Sequence, residues 1–188
     1  MEKAAGRIGT IIVKKYRTKG NKILILEKKE MKHGNLVFSA GDFLMIKKYQ
    51  KDFLVYEDYS HKNSLDLLNE HMLEAMVLEA NDMPSHIVQM YAHITVKCTL
   101  GWEDTFQLVA PCEENIKENK VSVISSLGAS VIGLAEGDKV TIGLPGSRIH
   151  LTITNVQQAK SKVIPFIPKE ELKKLVLKRK HNLLTLNM

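Results

Sequence analysis

The sequence predicts an α+β fold: a short N-terminal antiparallel helical hairpin, an antiparallel β-sheet domain that curls round one core with a short helix, and a basic C-terminal helix. Three observations predict it. Before Pro84, apolar residues recur at helical spacing in two stretches. After Pro84 the spacing changes to two, in short stretches that Gly- or Pro-containing turns separate. Residues 160–188 return to helical spacing with an excess of lysine.

Composition and charge indicate an ordinary cored protein with unusual ends. The 188 residues are 44% hydrophobic and 26% charged, and no apolar run approaches the roughly 20 residues of a membrane helix. No signal-peptide pattern follows the first residues, so a cytoplasmic location is expected. Residues 1–32 carry a net charge of +7 and residues 160–188 carry +6, whereas residues 33–159 carry −7. An acidic body argues against a nucleic-acid-binding core and leaves contacts with polyanions to the ends.

Residues 1–38 form a basic N-terminal extension with two interpretations. Apolar runs at 8–13 and 23–26 flank a basic, turn-prone stretch, which is typical of a small hairpin. The same residues equally fit a gene-model extension upstream of a true start at Met31. Both interpretations stay open.

Residues 39–83 are predicted to form the helical hairpin, a short coiled-coil arm. Ser39 suits the N-cap and Asp42 the first turn of the first helix. A polar turn at 57–63 follows, and it places Glu57 and Asp58 at the tip of the arm. The second helix has apolar residues near a 3.5-residue repeat and should end before Pro84; those residues are Leu65, Leu68, Met72, Ala75 and Met76. Helices of about 17 residues extend only about 25 Å.

Residues 84–158 are predicted to form the sheet domain, and this domain is expected to fold alone. Ile94, Val96 and Cys98 alternate with polar residues, a turn follows at 101–104, and a second alternating stretch follows the turn. Further strands are expected at 121–124, 139–142 and 148–156, with a short helical segment at 126–133. Trp102, in the turn, is predicted to fold back over the sheet; the alternative is an exposed anchor for a partner.

Residues 159–188 form a basic tail with an amphipathic helix. Pro168 suits its first helical position. One side of the helix is apolar and consists of Leu172, Leu175, Val176 and Leu183. Such a helix docks on the acidic body, on a membrane surface or on nucleic acid, and the three alternatives stay open.

A run of fixed spacings within 121–146 carries a family resemblance. It consists of a strand, a Ser-rich loop at 125–126, a small-residue helix ending in Gly133, the turn Glu136-Gly137-Asp138, another strand and a Pro-Gly turn. This run resembles the C-terminal domain of the GreA/GreB transcription elongation factors. Residues 68–90 are similar to the "regulator of nucleoside diphosphate kinase" branch of that superfamily. The resemblance covers about 39–157.

The resemblance implies a strongly curved, FKBP-like sheet domain without prolyl isomerase activity. It also implies docking at the rim of the RNA polymerase secondary channel. The docking loop of the family carries a Ser-Ser-Pro-like sequence; the matching positions here are Ile124, Ser125 and Ser126, followed by Leu127, so the proline is missing. Ser125, Ser126, Leu127 and Gly128 are therefore the candidate partner-binding residues. In the alternative interpretation they only turn the chain and cap the helix.

The sequence contains no recognisable enzyme motif. The glycines at 128 and 133 lack the Lys-Ser/Thr of a P-loop, and no serine lies in a GxSxG elbow. Cys98 and Cys112 lack a CxxC partner, so reduced thiols are expected. No two histidines are four residues apart, which leaves no helical metal-binding face. No catalytic residue, metal or cofactor is predicted.

Three functions compete. The leading hypothesis is a non-enzymatic regulator that binds RNA polymerase at the secondary-channel rim without transcript cleavage, because Glu57 and Asp58 are adjacent rather than spaced like the acidic pair of the cleavage factors. The second is a regulatory partner of a metabolic enzyme such as nucleoside diphosphate kinase. The third is attachment to nucleic acid through the basic ends.

Overall fold

A computed structural model gives the fold and describes residues 15–17, 23–25, 31–52, 59–142, 148–159, 170 and 176. At the N-terminal end, strand β1 (Lys15–Arg17) pairs antiparallel with β2 (Ile23–Ile25). This pairing fits the hairpin interpretation of the basic extension. The run at 8–13, predicted as the first strand, lies outside the described residues.

Helix α1 (Ala40–Asp52) follows strand β3 (Val37–Ser39) without a break. The Ser39 hydroxyl accepts a hydrogen bond from the Asp42 amide at 3.0 Å, which is the N-cap that the sequence predicts. The buried Asp42 carboxylate also accepts the backbone amide of Met90 at 3.4 Å. The start of α1 is thereby attached to the segment that enters the main sheet.

Helix α2 (Tyr59–Leu73) begins and ends earlier than predicted. Tyr59–Asn63, assigned by the sequence to the polar turn, are helical. The chain then forms strand β4 (Met76–Leu78), which pairs in parallel with β3, so Met76 lies in a strand rather than on a helix. Residues 76–78 form a strand because β3, at residues 37–39, offers backbone hydrogen-bonding groups with which they pair. Val77 also buries its side chain in this position.

The main sheet consists of five strands in the order β7-β6-β5-β9-β8. Their bounds are β5 (His93–Cys98), β6 (Glu103–Val109), β7 (Lys120–Ser122), β8 (Lys139–Ile142) and β9 (Ile149–Gln157). The predicted all-antiparallel sheet is wrong in one respect, since β7 runs parallel to β6. Two 3₁₀ turns between those strands carry the chain back along β6 before it pairs. The sheet is therefore mixed.

The sheet curves strongly, and an irregularity in its centre contributes to the bend. Thr95 of β5 pairs with Asn155 of β9, but the next residue, Val96, pairs with Ile153, so Thr154 is an extra residue on β9. Such a bulge bends the strand that carries it and increases its twist. The concave face that results encloses one side of the hydrophobic core.

One continuous core joins the helices to the sheet. Ile94, Val96 and Cys98 are buried as their alternation predicts, and they belong to the same cluster as Phe43 of α1 and Leu68 of α2. The predicted domain boundary at residue 84 therefore crosses a shared core. Val176, in the basic tail, is only 4% exposed and belongs to this cluster too. Its burial fits the interpretation that the tail docks on the body.

The turn Glu136-Gly137-Asp138 contains a buried carboxylate. Asp138 is 3% exposed, and its two oxygens accept the backbone amides of Lys32 at 2.6 Å and Ala135 at 2.7 Å. The Gly137 amide donates to the Ile153 carbonyl at 2.8 Å from a φ of +93°, which glycine adopts without strain. This turn fastens the segment before β3 to the end of the sheet.

Replacing Asp138 with alanine is expected to lower the free energy of unfolding by about 2–4 kcal/mol. The buried Ala135 amide and the part-buried Lys32 amide lose their acceptor, and an unsatisfied buried donor costs about 1–3 kcal/mol. Urea denaturation followed by circular dichroism measures the loss. The control is Asp104→Ala, an exposed carboxylate that accepts the amide of its neighbour Thr105. Equal midpoints for the two variants would contradict the proposed role of Asp138.

Candidate functional site

The candidate partner-binding loop connects β7 to the short helix α3 (Ser126–Val131). Ser125 is the N-cap of α3, and its hydroxyl accepts the Gly128 amide at 3.1 Å. Its own amide donates to the Ser122 carbonyl at 3.0 Å. The Ser122 hydroxyl accepts the amide of Ile124 at 3.3 Å. These three hydrogen bonds therefore fix the backbone of the loop at the start of α3.

Gly128 permits a very close approach of α3 to the strand that precedes it. A Cβ atom at this position would lie 2.1 Å from the Ser122 carbonyl oxygen and 2.9 Å from the Val123 Cα atom. Both neighbours are backbone atoms, so a side chain cannot be accommodated by a rotamer change. Gly128 is also buried, and it therefore shapes the loop instead of presenting a contact surface.

The accessible part of the loop is small. Ser126 is exposed, whereas Ile124 and Leu127 are half-buried and pack on one side against the core. Of the four predicted site residues, Ser125 and Gly128 thus hold the conformation, and Ser126 and Leu127 present side chains outward. Glu57 and Asp58, the predicted arm tip, lie outside the described residues.

A second accessible apolar feature lies at the β5–β6 turn. Leu100 is 81% exposed and Trp102 is 43% exposed. The Trp102 carbonyl accepts the Cys98 amide at 2.8 Å, which closes the turn. Trp102 therefore fits the exposed-anchor interpretation better than the predicted packing over the sheet.

The tyrosine pair near the end of β6 has shifted ionisation. Burial, followed by the carboxylate of Glu113, raises the pKa of Tyr91 to about 12, and burial also raises the pKa of Tyr49. Tyr91 adopts a left-handed φ of 67°, and its amide donates to the Leu108 carbonyl at 2.7 Å. A hydroxyl that stays protonated serves as a hydrogen-bond donor, not as a general base at neutral pH. We interpret this pair as structural.

Two histidines missed by the sequence reasoning lie in contact. His33 and His86 are 53 residues apart, yet their Nε2 atoms are 3.0 Å apart. Burial, Lys32 and His33 lower the pKa of His86, against smaller opposing effects of the carboxylates of Glu136 and Asp138. No local spacing in the sequence could have revealed this pair, because the fold alone brings the two segments together.

The described part of the chain contains no group of three or more His, Cys, Asp or Glu residues that could hold a metal ion. Within the same residues, no helix is long and apolar enough to cross a membrane.

Comparisons with known proteins find transcription elongation factors of the GreA and GreB type. Residues 83–158 match the family model "Transcription elongation factor, GreA/GreB, C-term". Transcription elongation factor GreA of Syntrophus aciditrophicus is 36% identical over 63 residues, 34% of this chain and 39% of that protein. GreA of Christiangramia forsetii is 28% identical over 90 residues, 47% of this chain and 57% of that protein. The chain thus spans about half the length of the curated relatives it matches.

A solved structure shows the same fold. The prokaryotic transcription elongation factor GreA/GreB from Nitrosomonas europaea superimposes with a TM-score of 0.54 at 21% identity, covering 66% of this chain and 98% of that one. The matched region contains the candidate loop at 124–128 and the Glu136–Asp138 turn. Residues 83–158 therefore match the C-terminal domain of the GreA/GreB transcription elongation factors in sequence, and the chain shares the fold of that solved structure.

Proposed function

We propose that the protein is a cytoplasmic, non-enzymatic regulator of transcription that binds RNA polymerase at the rim of its secondary channel. The loop Ile124–Leu127 makes the contact. The observation that carries the proposal is the loop itself, which lies within the residues that match the GreA/GreB C-terminal domain and has a backbone fixed by its own hydrogen bonds.

Rigidity of this loop favours binding despite its small accessible area. Ordering a flexible side chain at an interface costs about 0.5–1.5 kcal/mol, and a fixed loop avoids part of such costs. The loop proline of the family restricts the backbone in related factors. Here the Ser125 cap and the Ser122 hydroxyl supply a comparable restriction, so the loop stays rigid without the proline, and Leu127 provides an apolar side chain next to it.

The short arm favours action at the rim rather than deep in the channel. Gln50 of α1 and Leu68 of α2 are buried in the body, and the side chain of Lys47 donates to that of Asn69 between the two helices. Only 17 residues lie between Gln50 and Leu68. If they run out and back as helix, they extend about 13 Å. We propose that this arm places the protein with the short-armed branch of the superfamily.

A Ser126→Arg substitution is expected to weaken polymerase binding at least tenfold. The double variant Ser126→Arg with Leu127→Asp is expected to weaken it further. A new charge in a contact must lose its water on binding. Binding of the purified protein to core RNA polymerase from the same organism measures the effect by biolayer interferometry. Circular dichroism verifies that each variant is folded, which matters for the double variant because Leu127 packs partly against the core.

The matched control for this experiment is Leu100→Asp. Leu100 is 81% exposed at the β5–β6 turn, away from the loop in sequence. Its substitution introduces a charge on an apolar surface residue and should leave polymerase binding unchanged. If folded Ser126→Arg binds like the wild type while Leu100→Asp does not, the contact surface lies at the β5–β6 turn instead.

A further inference from the structure

His33 and His86 form a paired-imidazole feature at the surface that the proposed function does not use. Their Nε2 atoms are 3.0 Å apart, and the rings stack with centroids 5.3 Å apart and planes inclined by 22°. His33 is exposed and His86 is half-buried. The Nε2 atoms of the two side chains therefore lie close together at a point that solvent can reach.

The backbone on both sides of the pair is fixed. His33 lies in the segment before β3, where the Val37 amide donates to the Gly133 carbonyl at 2.9 Å. The carbonyl of His86 accepts the Glu136 amide at 2.8 Å, and Ile87 forms a β-bridge with Ala135. The fold thus brings together the two backbone segments that carry the rings.

We propose that His33 and His86 form a binding site for a late first-row transition-metal dication such as Zn²⁺, Ni²⁺ or Cu²⁺. A metal lies about 2.0–2.1 Å from each imidazole nitrogen. Two such nitrogens are about 3.3 Å apart in tetrahedral geometry and about 2.9 Å apart at a right angle, as in square-planar or octahedral complexes. The observed separation of 3.0 Å lies between these values, so either geometry requires movements of a few tenths of an ångström.

The charged groups around the pair are mixed in sign. Lys32 opposes a bound cation, whereas the carboxylates of Glu136 and Asp138 favour it. Both Asp138 oxygens accept backbone amides, and one Glu136 oxygen accepts the Val156 amide at 3.3 Å. Because the described residues supply no third ligand in place, water completes the coordination. The site is then an open, two-nitrogen site that selects against Mg²⁺, which prefers oxygen ligands.

Metal binding is expected to stabilise the fold. The ion would link the segment before β3 to the segment before the main sheet, and a ligand that binds only the folded state raises the melting temperature as its concentration rises. This effect is independent of polymerase binding, so the site can be tested whether or not the proposed function holds.

The test is a metal titration of the full-length protein without a polyhistidine tag. Isothermal calorimetry with ZnCl₂ and NiCl₂ should give saturable binding at a molar ratio of one, with a matching rise in melting temperature, and MgCl₂ should give neither. His33→Gln and His86→Gln should each weaken binding at least tenfold. The control His93→Gln, an exposed histidine on β5, should bind like the wild type. Binding that survives either test substitution overturns the site.

Proton NMR of the wild-type protein supplies a second measurement that needs no variant. On addition of Ni²⁺, the ring resonances of two histidines should broaden together at the lowest metal concentrations, while those of His93 and His150 respond only later. If neither His33 nor His86 responds before the other histidines, the pair only shares a proton between its two nitrogens and the proposal is wrong.

Discussion

Gly128→Ala is expected to destabilise the protein by about 3 kcal/mol, because the added methyl group would overlap backbone atoms in the core. The new Cβ atom would lie 2.1 Å from the carbonyl oxygen of Ser122. Overpacking in a core typically costs about 1–3 kcal/mol, and more where the neighbours cannot move. Here they are backbone atoms of β7 and of the loop that follows it, so relief requires α3 to shift away from the sheet.

The measurement is thermal and urea unfolding of Gly128→Ala beside Gly101→Ala. Gly101 has a φ of +98°, but an added Cβ atom would meet nothing within 4 Å. The control therefore carries backbone strain alone, about 1 kcal/mol. In a protein of this size, 3 kcal/mol corresponds to a fall of about 6–12 °C in Tm. A Gly128→Ala protein at least as stable as Gly101→Ala would mean that α3 is not held against β7 as described.

Local features of the fold could be predicted from the sequence because their causes are local. Ser39 caps α1 with the amide three residues later, and Ser125 does the same for α3. Along β5, one face of the strand is buried, so Ile94, Val96 and Cys98 had to alternate with polar residues. In each case the residues that determine the structure lie within a few positions of one another.

Pairings between distant segments could not be predicted in this way. Met76 continues the apolar spacing of α2, and only the free edge of β3 makes strand pairing there more favourable than another helical turn. The direction of β7 depends on two 3₁₀ turns, and Asn115 and Asn119 cap the second of them. The Asn115 side chain accepts the Lys117 amide, and Asn119 has a left-handed φ of 53°. The contact between His33 and His86 has the same non-local origin.

The candidate loop was located by its resemblance to a family, but the roles of its residues required the structure. The sequence treated Ser125, Ser126, Leu127 and Gly128 as one partner-binding set. Hydrogen bonding and burial give these residues different roles. Ser125 and Gly128 fix the backbone of the loop, whereas Ser126 is exposed to solvent. Substitutions at the first two positions should therefore alter stability, whereas Ser126 is the position at which binding can be changed without loss of the fold.

The protein is expected not to stimulate transcript cleavage in backtracked complexes, whatever its concentration. The cleavage factors of the family carry a long arm whose tip presents an Asp and a Glu three positions apart, and these help to hold a second magnesium ion in the polymerase active site. Mg²⁺ requires oxygen ligands in near-ideal octahedral geometry. The two acidic side chains must therefore be present and must also lie at the correct distance from the ion.

We expect this chain to meet neither requirement. Glu57 and Asp58 are adjacent, and the residue three positions after Asp58 is His61; adjacent side chains on a helix point in different directions. The helices flanking them have 13 and 15 residues, which corresponds to about 20 and 22 Å. Part of that length lies against the body, because Ile46 of α1 and Met72 of α2 are fully buried.

Purified polymerase stalled in a backtracked state, with a radiolabelled transcript, decides the question. Added alone, the protein should leave transcript length unchanged; added before a cleavage factor, it should slow cleavage in proportion to its concentration, because both would occupy the same rim. Glu57→Ala with Asp58→Ala should compete as well as the wild type, whereas Ser126→Arg should compete less. Shortening of the transcript 3′ end that depends on Glu57 and Asp58 would instead mean that the arm reaches the active site, and competition at the rim would no longer describe how the protein acts.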